Sequence, residues 1–201
     1  MKSTARGFTL IELLIVIAVL GILAVAVLSA INPIEQINRS KDTGSRSDAE
    51  QLIGAIDRFY ATAGFYPWKT SPILPGVTDL TAWGPVDVTT WSDGTTMVLN
   101  KLSAAGTGEL KGSFTGRITG GGYNTLRKFN LGLQGDSTYV CFLPKSSSFQ
   151  ASAADRCNGA AGSFGTLPGD FPTDGNAGMP AACPGGYAAC LAAKTCMSCL
   201  P

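Results

Sequence analysis

Histidine is absent from the 201-residue chain, charged residues make up only 14% of it, and no long basic run occurs. Without imidazole there is no Ser-His-Asp or Cys-His catalytic set, no helical zinc-protease motif and no mixed Cys/His zinc finger. These absences do not exclude an enzyme but lower the expectation of one; the reading taken is of a non-enzyme, with no cofactor and no metal. A formal net charge of +1 leaves no electrostatic footprint for nucleic acid, which is not expected as a partner. Lys101, Lys111, Arg117 and Arg127-Lys128 are too scattered to form a basic face and read as solvated surface. Glycine and proline are the opposite case: 25 and 11 residues, above average usage, call for many turns and loops.

The apolar residues are concentrated. From Phe8 to Ile31 the only polar side chains are Thr9, Glu12 and Ser29, and Leu13 to Leu28 is unbroken. A run of this length suffices for a helix to cross a bilayer core, for which about 20 residues are needed. Lys2 and Arg6 precede it with no acid among them, which places the short N-terminus in the cytoplasm and the rest outside. Cysteine usage fits an exported domain. Cys141, Cys157, Cys183, Cys190, Cys196 and Cys199 all lie in the last third, and an even count there reads as disulfides. Six cysteines allow 15 pairings; proximity suggests Cys141 with Cys157 and a cluster among the last four. A zinc site from Cys183, Cys190, Cys196 and Cys199 is the sharper alternative, although only Cys196 and Cys199 have the tight spacing.

An ordinary secretory signal would explain a positive start, an apolar middle and small residues such as Ala24 and Ala26. It would not explain Glu12, since an acid inside a membrane segment implies a function and a partner. Nor would it call for Gly7, which opens the backbone to a peptidase where the leader meets the apolar run. Gly7-Phe8-Thr9-Leu10-Ile11-Glu12, followed by Leu13 to Ala18, resembles the N-terminal motif of type IV pilins and of the pseudopilins of type II secretion systems. The resemblance implies cleavage by a prepilin peptidase after Gly7, N-methylation of Phe8, and insertion in membrane lipid before assembly. It also implies contact with an inner-membrane assembly platform, then incorporation as a homo-oligomer with other pilins into a cell-surface or envelope-spanning filament. Loss of Lys2 and Arg6 would leave 13 basic against 14 acidic residues, formally −1. Glu12 lies four residues beyond Phe8, on the same helical face. In the family the corresponding acid is thought to meet the N-terminal amine of a neighbouring subunit. Such a pair sets axial register, because stranding one buried charge costs roughly 3 to 5 kcal/mol.

Further along, Asn32-Pro33 predicts a kink or break. Ala49, Leu52, Ile53, Ile56, Phe59, Tyr60 and Ala63 then recur at helical spacing as a stripe for packing on a sheet, with Gly64 as its stop. A single helix from Phe8 to Ala63 would be about 84 Å long. Ala63-Gly64-Phe65-Tyr66-Pro67 resembles the Gly-x-Tyr-Pro turn of pseudopilins. Residues 65 to 94, with Trp68, Trp83 and Trp91, read as a long loop with aromatic anchors, and an aromatic carbohydrate platform as a lesser reading. Ser92 or Asp93 is expected to cap a helix carrying Val98, Leu99, Leu102 and Ala105. Strands are expected over Phe114 to Thr119, Leu126 to Leu133 and Thr138 to Leu143. The tail from Pro144 reads as poor in core and dependent on covalent ties. Asp170, Asp174 and Asn176 are weighed as calcium ligands, as in type II major pseudopilins, and read instead as an Asp-Gly turn.

The expectation is an α+β fold: a long N-terminal helix, half in the membrane and half amphipathic, packed on a small antiparallel sheet with a Cys-rich, loop-dominated C-terminal region. Its segments are a leader (1–7), a transmembrane assembly helix (8–31), a pilin-like globular domain (32–143) and the Cys-rich region (144–201). The function that follows is a structural subunit of a type IV pilus or a related pseudopilus, held in the cytoplasmic membrane by one pass before assembly. The rival readings are a membrane-anchored extracytoplasmic ligand-binding module and a Cys-rich metal or redox module.

Overall fold

The computed structural model describes residues 7–30, 32–72, 79–103, 107–121, 124–133, 135–157, 170–171, 183–185 and 187–201. Among them are six helices and four strands, in the chain order α1 (Leu10–Ala30), α2 (Pro33–Ala63), β1 (Thr81–Pro85), α3 (Val98–Leu102), α4 (Gly112–Thr119), β2 (Leu126–Asn130), β3 (Tyr139–Phe142), α5 (Ser147–Cys157), α6 (Tyr187–Ala193) and β4 (Ser198–Leu200). The strands form one antiparallel sheet in the order β1-β2-β3-β4. The fold is mixed α and β, as the sequence leads one to expect.

Two compact units divide at Ile37/Asn38. In the first, the residues of α1 from Leu10 to Ser29 are all exposed. Asn32 and Pro33 interrupt the helix in a specific way. The Asn32 side-chain oxygen accepts the Glu35 N–H at 3.3 Å and its carbonyl accepts the Gln36 N–H at 3.3 Å. Asn32 is thus the N-cap of α2 and Pro33 its first helical residue, where the missing N–H costs nothing. The residues that end one helix start the next.

The second unit is built on α2. Ala49, Leu52, Ile56 and Phe59 of the expected stripe are buried, Ile53 and Ala63 pack at its margin, and Tyr60 stays exposed against Tyr66. Gly64 closes the helix with φ +77° and an N–H bond to the Tyr60 carbonyl at 2.8 Å. This face packs on Val98, Leu99 and Leu102 of α3, Phe114 and Ile118 of α4, and Leu126, Val140 and Phe142 of the sheet. The other sheet face is also covered. Phe129, Tyr139 and Cys141 join Ala153 and Ala154 of α5 and the other five cysteines in a second cluster. Alternation along β3 therefore sends Val140 and Phe142 to one core and Tyr139 and Cys141 to the other. All four residues of β3 are buried.

Several local expectations are corrected. Phe114 to Thr119 is helix α4, not a strand. Phe114 and Ile118, four apart, bury the same face, and that packing outweighs the β-branched and glycine content. β1 lies inside the stretch read as loop. It is an edge strand with an irregular register between Thr81 and Gly84, where glycine and proline are tolerated. The helix after Trp91 is α3, starting only at Val98 with Met97 as N-cap. Ser92 instead bridges to Met97, and Asp93 accepts the N–H groups of Thr95 and Thr96 in a turn. Ala105 lies outside the described residues. The tail does contribute a core, and it supplies α5, α6 and the edge strand β4.

Candidate functional site

The local geometry at the N-terminus turns on two side chains. Thr9 is the N-cap of α1: its hydroxyl accepts the Glu12 N–H at 3.3 Å. Glu12 answers by accepting the Thr9 N–H at 2.9 Å and the Thr9 hydroxyl at 2.6 Å on one carboxylate oxygen. This is a reciprocal capping box, and it satisfies donors that an N-terminus otherwise leaves open. The spacing Thr9-x-x-Glu12 is its signature in the sequence, and the sequence reading passed over it. Glu12 is thus held by its own helix as well as lying on the face of Phe8. Phe8 is 82% exposed, and Gly7 has no atom near the position a Cβ would take.

Leu10–Ser29 is long and apolar enough to cross a membrane, and none of its most apolar stretch is covered by the rest of the chain. Fully burying one Leu, Ile or Val side chain is worth about 1.5 to 3 kcal/mol. Fourteen such residues stand exposed along α1, so this helix requires lipid or other protein around it.

Residues 2–28 match the family model of the prokaryotic N-terminal methylation motif. The matched stretch contains Gly7, Phe8 and Glu12. The chain is also similar to the fimbrial protein EcpC of Eikenella corrodens, at 39% identity over 67 residues. That likeness covers 33% of this chain and 42% of the relative, so the chain matches less than half the length of that protein. No solved structure matches the chain.

Beyond α1, the second unit holds α2 through buried polar groups. The Asp42 carboxylate is fully buried and accepts the N–H groups of Lys145 (2.9 Å) and Ser146 (2.7 Å), the Ser146 hydroxyl (2.6 Å) and the Asn124 amide (3.0 Å). Ser146 precedes α5 and bonds its first turn, so one carboxylate ties α2 to the N-terminus of α5. Asn38 and Arg39 add contacts to Lys145 and Ser148. Asp48, in turn, meets Arg117 of α4 at 2.5 Å. Burial raises the Asp48 carboxyl above its ordinary value, with Arg117 opposing the shift.

The weighed binding residues are engaged in holding the fold. Lys101 donates to the Lys69 carbonyl (2.6 Å) and Asp93 (2.8 Å) and lies over the rings of Phe59 and Phe65. Burial lowers the Lys128 ammonium from its ordinary value, with Asp87 opposing; it donates to the Ala82 carbonyl at 2.7 Å. Arg127 lies over the Trp83 ring, and Lys111 precedes α4. Trp68 and Trp91 are buried and Trp83 packs on the cysteine cluster, so the tryptophans form no open platform. Asp170 accepts the Ser137 N–H (2.6 Å) and the Tyr139 hydroxyl (2.9 Å), which ties it to the start of β3; Asp174 and Asn176 lie outside the described residues.

The cysteines pair as Cys141–Cys199, Cys157–Cys183 and Cys190–Cys196. Proximity in sequence had suggested Cys141 with Cys157. Antiparallel register decides otherwise, because Cys141 on β3 lies directly opposite Cys199 on β4. The four cysteines weighed as a zinc set are divided among all three bonds.

Proposed function

We propose that the chain is a structural subunit of a type IV pilus or related pseudopilus, processed after Gly7 and assembled through α1. The observation that carries this reading is a membrane-length helix, exposed along its whole described length, that opens on the methylation motif with its one acid. The four segments at 1–7, 8–31, 32–143 and 144–201 belong to the same reading. Before assembly the helix anchors the chain in the cytoplasmic membrane, with Lys2 and Arg6 on the cytoplasmic side. Cleavage frees an amino group on Phe8 beside the Thr9-Glu12 box. Within a bundle of apolar helices that amine and the Glu12 carboxylate of another protomer each need a counter-charge. The capping box adds a reason why the acid is tolerated at this depth: Thr9 already satisfies part of the carboxylate while the helix is alone in lipid. Ala18, Gly21 and Ala24 allow close helix approach. The other pilins, the peptidase and the assembly platform are the partners this reading requires.

Mass spectrometry of the native N-terminus tests it. The expected species begins at N-methylated Phe8 and co-purifies with sheared filaments. An intact Met1, or a start after Ala26, would refute the processing.

A further inference from the structure

Two of the three disulfides lie against each other. The sulfur atoms of Cys157, Cys190 and Cys196 all fall within 4.8 Å of one another, although Cys157 is bonded to Cys183 and Cys190 to Cys196. Sulfurs so close need little movement for a thiolate on one to attack the other bond. Cys190, Cys196, Gln150, Leu191 and Lys194 also line a shallow surface pocket, with room for about one water. Lys194 is the one non-glycine among the described residues with positive φ, +56°, where α6 ends. Lys194 is the cation among the residues lining that pocket, and positive charge near a departing thiolate favours its release. Cys141–Cys199 stands apart in this respect, fastened across paired strands of the sheet.

The geometry points to a thiol–disulfide exchange centre in the outer unit, with Cys190–Cys196 the bond opened by an incoming low-molecular-weight thiol and Cys157–Cys183 the bond that receives the released thiolate. The incoming thiolate attacks Cys196 Sγ, forms a mixed disulfide there and expels the Cys190 thiolate. Cys190 Sγ then attacks Cys157 Sγ, forming Cys157–Cys190 and expelling the Cys183 thiolate. Cys183 attacks the mixed disulfide at Cys196, forms Cys183–Cys196 and returns the small thiol. Each S–S bond broken is matched by one formed, so the cycle consumes no oxidant or reductant. If the entering thiolate strikes Cys190 instead, the same steps yield Cys157–Cys196 and Cys183–Cys190. The centre also gives oxidative folding a route: Cys190–Cys196 closes the shortest loop, six residues apart, and forms at the least entropic cost. Cys157 can then reach it by exchange. The inference does not depend on filament assembly.

The test uses the full, oxidised chain in detergent, incubated with a small amount of reduced glutathione, quenched with acid and mapped by mass spectrometry without reduction. Peptides joining Cys157 to Cys190 or Cys196 should accumulate while Cys141–Cys199 stays intact. A glutathione adduct on Cys190 or Cys196 with Cys157–Cys183 unchanged would overturn the relay, as would a complete lack of reaction. Loss of Cys141–Cys199 at the same rate would also overturn it, since that outcome marks general unfolding. Lys194→Gln should slow the first adduct several-fold without changing the melting temperature; an unchanged rate removes Lys194 from the site. In Cys183→Ser the Cys157 thiol should be shared with Cys190 and Cys196, and a wholly free Cys157 counts against exchange. Should that variant not fold, the glutathione experiment on the unaltered chain decides alone.

Discussion

Helix α1 and helix α2 are both long, and they are stabilised in opposite ways. The residues of α1 are apolar on every side and touch little else, so its environment must come from lipid or other chains. The part of α2 from Asn38 onward buries one stripe, and the first members of that stripe are polar: Asp42, Ser45 and Asp48, then Ala49, Leu52, Ala55, Ile56 and Phe59. A single acid in α1 is met by its own N-cap threonine, whereas a single acid in α2 is met by four donors from distant parts of the chain. An isolated charge in a helix is thus informative only together with what answers it. Glu12 is answered locally, within the first turn of its own helix; Asp42 is answered by tertiary structure and fastens its helix down.

Exchanging the answering groups breaks the contrast most severely. Glu12→Ala is expected to abolish or strongly reduce recovery in sheared filaments while leaving the melting temperature of the outer unit unchanged; normal filament yield would remove the assembly role from this acid. Asp42→Ala should do the reverse to the fold. Stranding the N–H groups of Lys145 and Ser146 and the Asn124 amide should cost about 3 kcal/mol or more, read as a lower denaturant midpoint of the detergent-solubilised chain. Removing Cys141 and Cys199 together should cost about 2 to 5 kcal/mol, because the edge strand β4 then has only three residues of pairing to hold it. If stability barely changes, β4 is held by packing and the covalent tie is incidental.

Two smaller effects sharpen the picture of the outer unit. Burial disfavours the Asp87 anion, but the Thr90 hydroxyl and the N–H groups of Thr90, Trp91 and Thr89 prevail and lower its carboxyl from 3.8 to about 2. A depressed folded-state value means that this contribution is complete above about pH 4 and is lost as pH falls toward 2. Asp87→Asn should therefore flatten the acid limb of the stability profile over that window; a profile parallel to the unaltered chain's would deny Asp87 the role. Lys194→Gly should raise stability by roughly 1 kcal/mol, since glycine adopts the positive φ at the end of α6 without penalty.

Much of this was legible from residue order alone wherever the determining contacts are local. The N-terminal motif, the membrane-length helix, the break at Asn32-Pro33 and the Ala49 to Phe59 stripe depend on neighbours three or four residues apart. The capping box of Thr9 and Glu12 is equally local, carried by the Thr9-x-x-Glu12 spacing. Asp42 and Asp48 lie in a polar stretch of sequence, and nothing near them there reveals the donors that bury them.

What the amino-acid order determined by itself is the apolar helix, its N-terminal methylation motif and the presence of an even set of cysteines in the last third of the chain, all consequences of composition and short spacing. Tertiary structure alone decided which cysteines meet, that Phe114 to Thr119 coils rather than extends, and that β1 and β4 join the sheet as its edges. The physical reason is burial on both sheet faces. A strand covered on two sides loses the alternation that would announce it, and a three-residue strand such as β4 exists only because another strand, a disulfide and α5 are already in place beside it.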